Sequence, residues 1–580
     1  MSKYFNPWVV GFICLFFFLA SITTSVVSIN QAYNTTPLKE WILVGGVTST
    51  SATFRVRSQG GVSGVTFVVS ERESLTNPIL AKILGSNTED ELVFTVNVTS
   101  LQPQTEYYYA SVQSDSPTTV VRQGSFRTPA TEGQPFNFKI AVAGCSWTGS
   151  KSDIFRYIAA QNPLFMLHLG DFHYEDIYKN DLDLRINAVD LVLGSDSQRE
   201  LYSKVPIAYT WDDHDWMGND SGQREKEAGA RQTALKSYQI AFPHHALALE
   251  GDAVPLYQAF TIGRVRFIIS DLRSEANETH IYSTEQRDWL FNELSQAGQY
   301  DFVIWASSKP WIGDVELGDD NWTGQPADRK ELSEFVSKTL AQTQNLLAVS
   351  SDAHMLAFDD GSNTYYGSGN GVLSFPILQS GPMDRLGSVK GGPYSDGCHT
   401  VTKERNHQYS TISFEADGAE PCLEITMYEN QNVVMTRKLC GKIFKEAAPG
   451  TGSCSAPTFR TSSTAMLGVS VALWVAIAIG ACFVLGAWQG LLVSSIVAVF
   501  FVATLMSALV PVSKGISQWD VQAVLIIALV QMATVTVYCG YWFYNQRKKQ
   551  SEDDNIGEDG VSVDVEEECG IDKDRNEDKD

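Results

Sequence analysis

Residues 137–172 read NFKIAVAGCSWTGSKSDIFRYIAAQNPLFMLHLGDF. Two apolar runs, FKIAVAG and LFMLHLG, show no polar alternation, the mark of strands buried on both faces. Between them SDIFRYIAAQN has helical spacing, with Ser152 as its candidate N-cap. Strand, helix and strand in so short a stretch form a βαβ unit with parallel strands. The same rhythm continues through VPIAYTWDD (205–213), VRFIISDLR (265–273), DFVIWASSKP (301–310) and NLLAVSSDAH (345–354). Helical patterns separate them at 224–242, 284–297 and 327–343, and 411–440 reads as closing antiparallel strands. The expected class is α/β, a mixed β-sheet core flanked by helices over residues 136–445.

Upstream, residues 31–130 read as an all-β module. SATFRVRS, GVTFVVSE, ELVFTVNVTSL, EYYYASVQS and RQGSFRTP are short alternating runs divided by turn residues. LQPQTEYYYASV resembles the tyrosine corner of fibronectin and immunoglobulin-like sandwiches, with one of Tyr107–Tyr109 in that role. A spacer or a wall of a cleft is the plainest use of such a sandwich.

Both ends address a membrane. Residues 1–30 contain WVVGFICLFFFLA after Lys3, a secretory-signal pattern. Within 464–544, three apolar stretches (464–486, 491–512 and 521–544) each suffice to span a bilayer as a helix, and none carries Asp, Glu, Lys or Arg. Arg547, Lys548 and Lys549 follow the last, which places the acidic tail 545–580 in the cytosol and residue 463 on the other side. Residues 446–463 form a Gly/Ser/Thr/Pro-rich stalk. The expected localisation is a multi-pass membrane protein with an extracellular or luminal domain. Absence of intramembrane charge argues against transport.

The formal net charge is −24, of which residues 551–580 contribute −11. Such a run is a solvated tail. No basic patch marks a nucleic-acid partner. Five sequons, at Asn34, Asn97, Asn219, Asn277 and Asn321, all precede the spans. Five cysteines lie in the exported part. Cys422 and Cys440 flank a strand pair and can bridge it, Cys398 with Cys454 would complete two disulfides, and other pairings stay open. Cys145 is then left over.

Polar residues gather just past the ends of the apolar strands: Cys145 after IAVAG, Asp171 and Tyr174 after MLHLG, Asp212–Asp215 after IAYTW, Asp271 and Arg273 after FIIS, and Asp352 and His354 after LLAVSS. In open α/β sheets the ligand lies outside the carboxyl ends of the strands, so one rim can collect them all. Thiolate, carboxylate, imidazole and phenolate are metal ligands. A shared carboxylate can hold two cations about 4 Å apart, the spacing of two-metal phosphatases.

GDFHY (170–174), WDDHDWMGND (211–220) and SSDAH (350–354), in that order after Cys145, resemble the calcineurin-like metallophosphoesterase superfamily, and within it the PhoD-type alkaline phosphatase/phosphodiesterases. The likeness covers about residues 40–440. It implies one redox-capable metal, iron, held by Cys145, Asp171, Tyr174, Asp352 and His354. It implies a second site, with calcium, sharing Asp171 and using Asp213 and Asn219; zinc and manganese are the alternative metals. His214 would face the substrate as proton donor or transition-state stabiliser, Asp213 beside it, and Arg273 would grip phosphate oxygens in a bidentate fork or else pair with Asp271 or Glu275. SSDAH departs from the usual SGDVH-like form, WDDHD from WDDHE, and the three-span anchor is no part of the family core. The expectation is an ectoenzyme that hydrolyses phosphate mono- or diesters. Its competitor is a non-catalytic surface receptor or adhesin that kept the fold.

Overall fold

The computed structural model describes residues 40–454 apart from 59–64, 85–92, 115, 223–226, 314–319, 389–391, 402–403, 417, 419, 451 and 453. The signal segment, the three spans, the tail and most of the stalk lie outside the described residues, as does Asn34. No helix among the described residues is long and apolar enough to cross a membrane.

Nine strands make the first sheet, in the spatial order β20 (Asn432–Cys440), β19 (Cys422–Glu429), β18 (Gln408–Glu415), β8 (Phe138–Ala143), β9 (Met166–Leu169), β10 (Ile207–Thr210), β1 (Trp41–Gly45), β2 (Ser51–Arg57) and β5 (Val93–Thr99). Seven make the second: β11 (Gln258–Ile262), β12 (Val265–Ile269), β13 (Phe302–Ala306), β14 (Leu346–Ser350), β16 (Ile377–Gln379), β15 (Leu356–Asp359) and β17 (Cys398–His399). β8, β9 and β10 are parallel, as are β12, β13, β14 and β16. The sheets face each other through aromatic packing. Phe138 of β8 and Phe414 of β18 meet Phe267 of β12, and Phe165 meets Phe260 and Phe267. Buried on both faces, these strands have no need of polar alternation, which explains their near-continuous apolar runs.

Helices α1 (Ile154–Ala160), α2 (Leu182–Gly194), α3 (Asp196–Tyr202), α4 (Asp213–Trp216), α5 (Ala230–Ala241), α6 (Thr284–Ser295) and α7 (Pro326–Thr339) fill the crossovers. The cap of α1 is Asp153; Ser152, one residue earlier, accepts from the Ile154 amide at 3.3 Å. Ser283 caps α6 by accepting from Gln286 N.

The N-terminal region is β-rich, and one of its sheets is shared. β4 (Leu80–Leu84), β3 (Val65–Ser70), β6 (Glu106–Gln113) and β7 (Ser116–Arg127) form a separate four-stranded sheet, whereas β1, β2 and β5 extend the nine-stranded one through β10. Tyr107 is the corner tyrosine, its hydroxyl accepting from Gln102 N at 2.7 Å. Two disulfides, Cys398–Cys454 and Cys422–Cys440, are present, and Cys145 is free and buried.

A buried ion pair ties the shared strands to the helical layer. Arg57 of β2 forks onto Asp190 of α2 at 3.1 and 3.0 Å, and Trp41 Nε1 donates to the same carboxylate at 2.7 Å. Asp190→Ala removes this carboxylate from a buried guanidinium and a buried indole N–H, an expected loss of about 3–5 kcal/mol. A thermal unfolding midpoint unchanged from the parent would show that the pair carries no such weight. The sequon at Asn321 meets a different fate from those at the exposed Asn97, Asn219 and Asn277. Asn321 is buried and accepts from Thr323 N at 2.7 Å, so a glycan there would displace core.

Candidate metal centre

The carboxyl ends of β8, β9, β10, β12 and β14 open on one rim. After β8 the chain turns at Gly144 into Cys145, and after β9 at Gly170 into Asp171. Gly170 has φ +97°, and a Cβ there would lie 2.6 Å from Asp212 N, so glycine is what lets the two loops touch. Cys145, Asp171 and His354 all adopt left-handed backbone, with φ of 59°, 54° and 52°. Each such non-glycine residue costs about 1–3 kcal/mol, a strain that gathers at functional sites.

These three strained residues form one cluster, with a ligand atom of each within 4.8 Å of the others. Tyr174 closes it. Its hydroxyl donates to Asp171 Oδ2 at 2.6 Å and lies 3.3 Å from His354 Nε2. His354 Nδ1 donates to the Leu386 carbonyl at 2.8 Å, which makes Nε2, beside the Tyr174 hydroxyl, the acceptor nitrogen on the side of the cluster. A second cluster joins Asp171, Asp213 and His214, and a third joins Asp212, Asp213 and Asp352. Asp171 thus belongs to two groups and Asp213 to three, the last with Asp220 and Asp320, a chain of donors rather than one knot. Asp352 is grouped with Asp212 and Asp213, not with Cys145 and His354.

The electrostatics show a centre short of positive charge. Burial, with Asp213 and Asp215 adding to it, pushes Asp171 up to about 8 against the opposing charge of His214. Burial likewise pushes Asp212 and Asp215 up to about 7. Cys145 is raised well above the ordinary thiol, first by burial, then by Asp171 and Asp352. The donor types, the acceptor nitrogen of His354 and these raised acids fit bound cations.

Residues 138–376 match the family model of the PhoD-like phosphatases. The chain carries a PhoD-like phosphatase domain. It is a metal-dependent phosphoesterase on that ground. A solved PhoD structure shares the fold, with 16% identity, 73% of this chain and 95% of that one covered, and a TM-score of 0.52. A purple acid phosphatase from yellow lupin (Lupinus luteus) seeds aligns at 13% identity over 73% of this chain and 77% of its own, with a TM-score of 0.47. No curated protein matches the chain.

Two expected site residues sit otherwise in the PhoD-like domain. Arg273 is fully buried, and its fork is taken by Asp212 and by Asp320 at 2.6 and 3.2 Å, with Asp213 and Asp352 within 3.9 Å of Nη2. The guanidinium thus pairs with neither Asp271 nor Glu275; Asp271 meets only the Arg273 backbone amide, at 3.2 Å. Asp271 is itself consumed by Trp211 Nε1, Ser274 and the Leu256 amide. Asn219 is exposed and donates to Asp220 Oδ2 at 2.7 Å. Asp220 in turn gathers with Asp213 and Asp320. The sequence did not single out Asp176, whose Oδ1 lies 2.5 Å from His214 Nδ1. Its signal was only its place in HYED, two residues past Tyr174.

Proposed function

We propose that this chain is a membrane-anchored ectoenzyme that hydrolyses phosphate mono- or diesters at a two-metal centre. The observation that carries the reading is Asp171, shared by neighbouring donor clusters as a bridging carboxylate would be. In this reading Cys145, Tyr174 and His354 complete one site, suited by its thiolate and phenolate to iron. Asp213 and Asp352, with Asn219 as an outer donor, complete an oxygen-rich second site suited to calcium. Two cations, when bound, supply charge neutralisation of the phosphate and activation of the nucleophile.

The remaining work belongs to side chains. Asp176 holds His214 Nδ1, which leaves Nε2 to give a proton to the departing oxygen. Arg273 sets the carboxylates in place by holding Asp212 from behind, rather than by touching substrate. The signal segment 1–30, the spans at 464–544 and Arg547–Lys549 support an anchor with its tail in the cytosol. The two disulfides agree with an oxidising compartment.

Full-length protein from a secretory host should hold about two metal ions per chain and cleave a chromogenic monoester or diester. Chelation should abolish that cleavage, and added iron and calcium should restore it. A folded chain with neither metal nor hydrolysis after such addition would favour the receptor reading.

A further inference from the structure

Arg273 is not available to the substrate phosphate, since its fork is spent on Asp212 and Asp320. A second guanidinium reaches the same rim. Arg385 sits over the Tyr174 ring, its Cζ 3.7 Å from the centroid, and 5.0 Å from the centroid of the Trp147 ring. Its Nε is buried without a hydrogen-bond partner, and among the described residues no carboxylate pairs with the side chain. The neighbouring Asp384 is already engaged by Ser150, Arg405 and His407. A guanidinium held at a site opening with its donors unspent is costly unless an anion meets it.

The backbone brings Arg385 to this place for a reason. Residues Arg385–Leu386 form a short strand paired with Arg405–Asn406, and the Leu386 carbonyl is the group that orients His354. Tyr174 touches both Asp171 and His354, so Arg385 stands one ring away from the shared donors. Stacking against two aromatic faces fixes the plane of the fork before any ligand arrives.

We propose that Arg385 binds the non-bridging oxygens of the substrate phosphate. This rests on the hydrolytic reading above. The fork reaches over Tyr174 toward the phosphate, with Trp147 as its backing. Lysine at this position would keep the charge and lose the planar, stacked geometry.

The test uses the full-length chain, its metal content measured, with inorganic phosphate as the probe in calorimetry and as an inhibitor of p-nitrophenyl phosphate cleavage. Arg385→Gln should weaken inorganic phosphate about 10- to 100-fold, as for a lost charged hydrogen-bond pair. Metal content should stay at the parent level, and Arg385→Lys should fall between. Unchanged phosphate affinity in Arg385→Gln, with the parent still hydrolysing, overturns this role and leaves the hydrolytic reading intact. Loss of metal together with phosphate overturns it too, because Arg385 would then be a support for Tyr174. If Arg385→Gln does not fold, Arg385→Lys decides: affinity equal to the parent's sinks the proposal, and a several-fold loss upholds it. A parent that neither hydrolyses nor binds phosphate removes both readings together.

Discussion

Asp171→Asn should lose activity by a factor on the order of 10³ or more, a loss at least as large as removing one preorganised electrostatic contact from a transition state. It should also lose bound metal. Asp171 is the side chain common to the Cys145–His354 cluster and the Asp213–His214 cluster. Its Oδ2 takes the Tyr174 hydroxyl and its Oδ1 the His214 amide at 3.3 Å, so both oxygens point into the centre. The amide keeps the shape and one acceptor but removes the charge. Asparagine is also the residue that best tolerates the left-handed φ of 54° at this position, so backbone strain does not confuse the result.

The variant separates function from stability with opposite signs. Burial and neighbouring acids raise the Asp171 carboxyl to about 8 in the metal-free chain. A carboxyl whose folded value lies above its unfolded one binds a proton on folding, so between the unfolded value and about 8 its ionisation works against the fold. Asp171→Asn removes that burden. At neutral pH the metal-free variant should melt higher than the metal-free parent, while elemental analysis shows less metal and kcat/KM collapses. A variant that keeps metal and activity would deny Asp171 the bridging place.

What the sequence made legible follows from burial. Strands enclosed on both faces must be apolar throughout, so FKIAVAG, LFMLHLG, PIAYT and LLAVS stand out, and any acid, thiol or imidazole just past them is conspicuous. Parallel strands then bring those ends together, which is why Cys145, Asp171, Asp213 and His354 could be read as neighbours. The Cys422–Cys440 pair was legible for a simpler reason, a hairpin whose strands put the two residues opposite each other. Asp320 and Arg385 were not legible. Both lie outside the main strands and helices, and only tertiary contact brings them to Arg273 and Tyr174. The reading of Arg273 failed on partner, not on place: its position at the strand end was right, but a buried guanidinium among acids is claimed by the nearest carboxylates before any substrate. Of the N-terminal strands, β2, β3, β5, β6 and β7 were legible but β1, apolar and buried throughout, and β4 were not; the alternation in β2 and β5 does not say which sheet they join, because the parallel bridge Gly45↔Ile207 that joins β1 to β10 is a long-range event.

His214→Asn should cost about 10²- to 10⁴-fold on an alkyl phosphate, the usual span for losing a general acid, and far less on p-nitrophenyl phosphate. The nitrophenolate departs without help, whereas an alkoxide needs a proton as its bond breaks. The geometry prepares His214 for that donation. Its Nδ1 sits 2.5 Å from Asp176 Oδ1, and its ring lies 4.1 Å from that of Tyr174. Burial alone would lower the imidazole, but Asp171, Asp176 and Asp213 outweigh it and raise it to about 9. In the metal-free chain protonation therefore persists below that value and is lost as pH rises through it. Cations at Asp171 and Asp213 would cancel two of those three charges, which leaves Asp176 to keep the ring charged. Asp176→Asn should accordingly reproduce part of the His214 defect on the alkyl ester and move the alkaline limb of the pH–rate profile downward. The ratio of the two ester rates is the deciding measurement. Equal losses on both would make His214 a group that holds the phosphate, with no proton to give.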